Sequence, residues 1–529
     1  MSRFSFIFIS LLFLQFSSAV SVERRARHKK SYYIDSNPDN DVTNTNNNAY
    51  DVNLTVGGTL VNALIDTGST DLWVGSGVGA FNNTGAAVEL LFGDGSDFVN
   101  GTIGLADVEI AGHKIPAQGE LYTLENNQNL TWALLALVGL GFDSLGRIPG
   151  ALTAAGVPDA PLVGKSLLSS IFDLNPGKGR FFALSLSRLY DSLDSADASL
   201  DIATLDAKYS AVQDAPTLPL FPDDSIQWTV LTQALQVNGL SIPLSSSING
   251  TPSGNSVILL DSGTTNILAP TEIRDAVYSA VPGAVLAKKS SIPNTQFSED
   301  KDVWVVPCGT AIKMSTTFGG KSNRIHPLDL TDLTFVLGPD GKNHTICVGT
   351  ITNGGPILSS TNGFDMIFGD SFLRNVYTVF SFGNDTVGPH VQLLSQTGKG
   401  AVKDFARVRA KMLSNAPPEL APADTIALFD GPSTSSAVGE VPSANLAAAA
   451  DVEIGSSSST DSQVAKYAPI VIGLLGANLF LLVVVALIGI VGYVRNGRQI
   501  GPNRQYAPVK VREEDMYEQK MGQYSDGPH

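Results

Sequence analysis

The chain has 529 residues, enough for two or three domains, with 34 Lys and Arg against 50 Asp and Glu, a net charge of −16. That balance argues against nucleic acid as a partner, because affinity for phosphate rests on Lys and Arg. Few basic groups and few charges overall suit a protein that works in acid, where carboxylates lose their mutual repulsion. With 51 Gly and many Ser, Thr and Val, the composition favours strands and turns over helices. The two cysteines, Cys308 and Cys347, would form one disulfide in an oxidising compartment and remain buried thiols otherwise.

Taken in order, Phe4 to Phe16 form an apolar run behind Arg3, and Ser17-Ser18-Ala19 offers small residues for cleavage. Residues 1–19 therefore read as a secretory signal peptide, too short to cross a bilayer comfortably. The basic run Glu23-Arg24-Arg25-Ala26-Arg27-His28-Lys29-Lys30 reads either as a solvated charge run or as part of a pro-segment with a dibasic processing site. Asp35 to Asn48 is polar and Asn-rich and is expected to be linker, so residues 20–48 are assigned to pro-segment and linker. Short strands with turn signals begin at Tyr50.

Two stretches then echo one another. Leu64-Ile65-Asp66-Thr67-Gly68-Ser69-Thr70-Asp71-Leu72-Trp73-Val74 returns as Ile258-Leu259-Leu260-Asp261-Ser262-Gly263-Thr264-Thr265-Asn266-Ile267-Leu268. An Asp closing an apolar strand is costly unless its carboxylate is satisfied or used. The Gly lets the backbone turn beside it, and the hydroxyls of Ser69 and Thr264 can bond the carboxylates and orient them. Each copy is followed by an apolar-Gly run, Leu137-Val138-Gly139-Leu140-Gly141 and Ile367-Phe368-Gly369-Asp370-Ser371-Phe372-Leu373-Arg374-Asn375, which makes an internal duplication the natural reading.

From Tyr50 to Leu394 the sequence resembles the pepsin-like aspartic endopeptidases, and the echoed stretches resemble their two active-site loops. The resemblance implies an all-β, bilobal fold, two related β-barrel lobes with the site in the cleft between them. It implies Asp66 and Asp261 as a catalytic dyad sharing one proton and activating a water, with Gly68, Ser69, Gly263 and Thr264 in support. Leu90-Leu91-Phe92-Gly93-Asp94-Gly95-Ser96 resembles the flap that closes over substrate. In the family a Tyr at this position bonds the Trp of the first loop, here Trp73; Phe92 keeps the ring that walls the pocket but lacks the hydroxyl. The segment from Ser96 to Gly101 looks slightly longer than usual. Cys308 and Cys347 sit where the family has its C-terminal-lobe disulfide, a link worth roughly 3–4 kcal/mol by loop entropy. Gln227-Trp228-Thr229-Val230 and Asp201 to Tyr209 resemble the strands joining the lobes, which places residues 49–218 in one lobe and 219–396 in the other.

Sequons at Asn53, Asn82, Asn100, Asn129, Asn249, Asn343 and Asn384 suit a glycosylated ectodomain. Beyond Leu394, Lys399 to Met412 has the spacing of a short amphipathic helix, and residues 397–466 as a whole read as a Ser/Pro/Ala-rich stalk. Ala468 to Val494 carries no charge and is long enough to span a bilayer, so residues 467–494 are assigned to one transmembrane helix. Arg495, Arg498 and Arg504 put the tail, 495–529, in the cytosol, with the body extracellular or luminal.

The six His include no H-x-x-x-H pair, and no G-x-S-x-G or nucleotide-binding Gly loop occurs, so no metal or organic cofactor is expected. The expected activity is hydrolysis of protein or peptide substrates in acid by a membrane-anchored monomer. The alternatives are a catalytically weak or inactive pepsin-like binding or cell-surface protein, which only Phe92 favours, and a structural surface glycoprotein, which leaves the duplicated loops unexplained.

Overall fold

A computed structural model describes residues 42–75, 81–93, 95, 97–126, 136–189, 198–292, 302–359 and 361–430. The signal, basic-run, membrane-span and tail assignments, Asp94 and Asn129 lie outside the described residues. Among the described residues no helix is long and apolar enough to cross a membrane.

The N-terminal half is one eight-stranded sheet. It comprises β1 (Val42–Thr45), β2 (Ala49–Val56), β3 (Thr59–Asp66), β4 (Leu72–Val74), β5 (Asn82–Phe92), β6 (Asp97–Ile110), β7 (His113–Asn126) and β8 (Ala136–Gly139), in the order β1-β2-β3-β8-β4-β7-β6-β5. Alternation sets its faces: in β2, Tyr50, Val52, Leu54 and Val56 are buried while the residues between them point outward. β8 threads between the strands on either side of the first Asp turn. It runs parallel to β3, with Asp66 opposite Gly139, and antiparallel to β4, with Leu72 opposite Val138. The second half repeats this. Met366–Phe368 runs parallel to Ser256–Leu260 and antiparallel to Ile267–Ala269. Glycine is required at the threading points, because a Cβ on Gly139 would lie 2.3 Å from the Thr70 carbonyl carbon and one on Gly369 2.0 Å from the Thr264 oxygen.

Strands of both halves meet in a five-stranded sheet that contains Phe181–Ser185, Ser199–Ile202, Leu218–Pro219, Val376–Ser381 and His390–Ser395. The joining strands differ from the sequence expectation in two ways. The strand at Asp201 stops at Ile202, and residues 207–214 form a 3-10 helix. Thr229–Thr232 pairs with Ser256–Leu260 in the second half. Trp228 nevertheless bridges the halves: its indole N–H donates to Leu140 O at 3.1 Å, and its ring packs on Phe142, Phe380 and Phe382. Burying such a ring is worth about 2–3 kcal/mol. The core runs continuously beneath both Asp turns, from Ile65 and Val138 through Phe182 and Trp228 to Leu260 and Phe368.

Two segments assigned to linker and stalk are structured. Val42–Thr45 is a strand paired with β2, and Asn44 and Asn47 bond Ser187 O and Leu189 N at 2.9 and 2.8 Å. Composition misled here, because Asn side chains satisfy backbone groups that water would otherwise solvate. Residues 401–430, assigned within the stalk, hold helix Ala401–Leu413, where the sequence expects a short amphipathic helix, and a second helix, Pro422–Phe429. The first buries Phe405 and Val408, and its Arg409 donates to Thr331 O at 3.0 Å and to the Cys347 sulfur at 3.4 Å. Leu420 N donates to Thr345 O at 3.0 Å, and Ile426 packs with Val305, Val336 and Ile346. Few apolar residues suffice when each lands on a prepared face. Cys308 and Cys347 are joined, with Cα atoms 5.1 Å apart.

Glu120 on β7 is fully buried, with Tyr122 donating to Oε1 at 3.0 Å and Oε2 lacking a partner. Burial pushes its pKa up to about 8, against a small opposing pull from the tyrosine hydroxyl. The folded chain thus keeps a proton that the unfolded chain releases, so stability falls as pH rises through about 8. Glu120→Gln should remove this slope, raising the melting temperature at about pH 8 by at least about 3 °C, with little change below the ordinary carboxylate range; calorimetry across pH checks it.

Candidate active site

The first Asp turn leaves β3 at Asp66 and the second leaves Ser256–Leu260 at Asp261. Within each turn the carboxylate is held the same way. Gly68 N–H donates to Asp66 Oδ1 at 2.8 Å and the Ser69 hydroxyl bonds Oδ2. Gly263 N–H donates to Asp261 Oδ1 at 2.9 Å and the Thr264 hydroxyl to Oδ2 at 2.7 Å. Both turns therefore form because the carboxylate caps its own loop, as an Asx turn does.

The turns face each other across the halves. A Cβ on Gly68 would lie 2.6 Å from Asp261 Oδ1, and one on Gly263 2.4 Å from Asp66 Oδ1. Only glycine leaves room for the opposing carboxylate. The structure thus brings together Asp66, Gly68, Ser69, Asp261, Gly263 and Thr264, the residues singled out in the sequence.

The clamp that holds the turns together was not singled out. The Thr67 hydroxyl donates to Leu260 O at 2.9 Å and accepts from Ser262 N at 3.0 Å. The Ser262 hydroxyl donates to Ile65 O at 2.8 Å and accepts from Thr67 N at 3.1 Å. All four bonds are buried. The signal was present: the residue after each Asp carries a hydroxyl in both copies, a regularity that apolar packing does not require.

Asp66 and Asp261 are 6% and 9% exposed, so neither is well solvated. Burial first, and the neighbouring Asp261 carboxyl second, push Asp66 up to about 8 against the lowering pull of Ser69 and Gly68. One proton therefore stays with the pair far above the ordinary carboxylate range. Asp370 is a third acid, also missed, although it lies in the second threading run. It is buried, and neither carboxyl oxygen has a partner. Burial raises its pKa well above the usual range; Arg374 opposes this, and the Asp261 and Asp66 charges add to it. The pair thus sits in a pocket that resists negative charge.

β5 and β6 form the hairpin expected for the flap, with Phe92 paired to Asp97 and left-handed glycines at Gly93 and Gly95. Phe92 packs against the cluster that contains Trp73, Leu90 and Leu121. Trp73 is 1% exposed, and its indole nitrogen has no hydrogen-bond partner. An unpaired buried donor of this kind costs about 1–3 kcal/mol, and in the pattern the motifs resemble a Tyr at position 92 would accept from it. The six sequons within the described residues lie at the surface or, for Asn100, half-buried. No group of three or more His, Cys, Asp or Glu suited to a metal occurs among the described residues.

A family model described as eukaryotic aspartyl protease matches residues 187–390. Major aspartyl peptidase 1 of Cryptococcus neoformans var. grubii is 25% identical over 355 residues, 61% of this chain and 64% of that protein, so the chain spans just under two thirds of that relative. Aspergillopepsin-1 of Aspergillus clavatus is 25% identical over 368 residues, 64% of this chain and 77% of that protein. In fold, the crystal structure of an aspartic proteinase from Irpex lacteus matches with a TM-score of 0.50 at 18% identity, covering 69% of this chain and 98% of that one.

Phe92→Tyr should supply the missing acceptor for the Trp73 indole and raise kcat/KM about two- to tenfold, the worth of one recovered hydrogen bond. Steady-state kinetics of the two proteins on one peptide would check it; no gain would mean that packing alone sets the flap.

Its duplicated Asp turns and threaded strands, together with these relatives, make the chain similar to the pepsin-like aspartic proteases.

Proposed function

We propose that the chain is an acid-acting aspartic endopeptidase whose dyad is Asp66 and Asp261. The observation that carries this reading is the reciprocal approach of each carboxylate to the other loop's glycine, 2.6 and 2.4 Å from a Cβ there. A water bound between the carboxyls loses its proton to the ionised member as it attacks the peptide carbonyl. The protonated member donates to the carbonyl oxygen, and the roles then reverse to protonate the leaving amine. Because the pair titrates as a unit, the proton belongs to both. Ser69 and Thr264 orient the carboxylates, and Gly68 and Gly263 give them room. The flap at Phe92, Gly93, Asp94 and Gly95 covers an extended peptide, with Phe92 and Trp73 walling apolar pockets. The names of the curated relatives, a peptidase and a pepsin, agree with this activity.

The same reading extends to residues outside the described body. A signal peptide (1–19) and a basic pro-segment would precede β1, a stalk shortened to 431–466 would follow Asp430, and a span at 467–494 with Arg495, Arg498 and Arg504 behind it would anchor the body on the luminal or extracellular side. Sequons and disulfide fit that compartment.

Hydrolysis of a denatured protein should be lost as pH rises through about 8, where the pair's last proton leaves. Asp66→Asn and Asp261→Asn should each cost at least about 1,000-fold in kcat. Activity that persists unchanged well above about pH 8, or survives either substitution, would overturn the dyad.

A further inference from the structure

A buried ion cluster lies beneath the lobes, and the C-terminal helix reaches it. Asp329 is at its centre. Arg188, from the first half, donates to both its carboxylate oxygens at 3.0 Å, and Arg374 Nε donates to Oδ1 at 2.8 Å. Asn375 Nδ2 adds a bond to Oδ2 at 2.9 Å. Burial alone would raise the pKa of Asp329, but the two guanidiniums hold it far below the carboxylate range. Arg374 also donates to Asn47 O at 2.9 Å, which ties in the turn between β1 and β2.

This cluster touches the second Asp turn through one short element. Arg374 caps helix Asp370–Leu373, and that helix starts by gripping the turn: Asp370 N donates to Thr264 O at 2.8 Å and Ser371 N to Thr265 O at 3.0 Å. Thr264 in turn holds Asp261.

On its other side the cluster meets helix Ala401–Leu413. His326 N donates to Asn375 Oδ1 at 2.8 Å, and its Nδ1 accepts from Leu328 N at 3.2 Å, capping the turn that carries Asp329. Its Nε2 stands 3.4 Å from Asp404 Oδ2, and both side chains are about 5% exposed. Arg407 bonds the other Asp404 oxygen. A buried carboxylate on a helix outside the paired lobes is expensive unless the position matters.

We propose that Asp404 and His326 are positioning residues for the dyad: through them the C-terminal helix fixes the Asp329 cluster and, with it, the helix that grips the Asp261 turn. Residues 401–413 then belong to the catalytic unit and are not a tether. This inference rests on the endopeptidase reading.

The test uses the full chain, with Asp404→Ala, His326→Asn and the double substitution beside wild type. Asn at 326 keeps an acceptor for Leu328 N while removing the contact with Asp404. Active sites are counted by titration with a tight-binding peptide analogue that carries a hydroxyl in place of the scissile carbonyl. Each single substitution should lower kcat per titrated site about three- to tenfold with KM within about twofold. The double should be no worse than the worse single, because both remove one link. A purely structural role predicts a lower melting temperature with kcat per site unchanged, and that result, or effects that multiply in the double, would overturn the proposal. Should Asp404→Ala not fold, Asp404→Asn, which keeps the shape and loses the charge, is read by the same criteria. A wild type that cleaves nothing while Asp66→Asn has the same fold would sink the endopeptidase reading, and this inference with it.

Discussion

Four buried hydrogen bonds between Thr67 and Ser262 and the backbones at Ile65, Leu260 and each other's amides are what the rest of the site depends on. Two carboxylates resist approach, since like charges at hydrogen-bonding distance favour loss of one charge or separation. The clamp opposes separation. With it in place, the pair lowers its energy by keeping a proton, and burial reinforces that choice. The glycines at 68 and 263 are a consequence: once the turns are clamped, each stands where the other carboxylate must be. Symmetry matters here too, because one repeated turn supplies both halves of the clamp and both acids.

The surroundings extend this logic. Asp66, Asp370 and Glu120 are all buried acids held toward their neutral form, whereas Asp329 is held ionised by two guanidiniums. Asp370 beside the paired acids thus resists charge, while Asp329 keeps a fixed ion network. A protein built this way tolerates acid, where its protonated carboxyls cost nothing, and meets a rising penalty as pH increases.

Two features set this chain apart from the pattern its motifs resemble. The flap carries Phe92, and the Trp73 indole is left without an acceptor, so the hairpin is held by apolar packing with its glycines at the tip. Apolar packing is less directional than a hydrogen bond. At the other end, residues 401–430 fold back onto the C-terminal half and cover the disulfide, with Glu419 accepting from Cys308 N at 3.1 Å.

The sequence by itself determined which acids are paired by motif and which segments repeat. Asp66-Thr67-Gly68 and Asp261-Ser262-Gly263 declared a repeated turn, the threading runs declared two related halves, and alternation in segments such as β2 declared strands, because each of these depends on residues close together in the chain. What it could not reveal were the relations between distant residues. That Thr67 and Ser262 clamp one another, that Asp370 adds to the dyad's field, and that the Trp73 donor lacks an acceptor all depend on contacts between separate elements. The polar run at Val42–Thr45 and the Ala- and Pro-rich segment after 400 read as linker and stalk because composition reports only average burial. Tertiary structure gave them partners: Ser187 and Leu189 for the Asn side chains, and the sheet holding Thr345 for the C-terminal segment. A few well-placed bonds offset the ordering entropy that composition alone could not have covered.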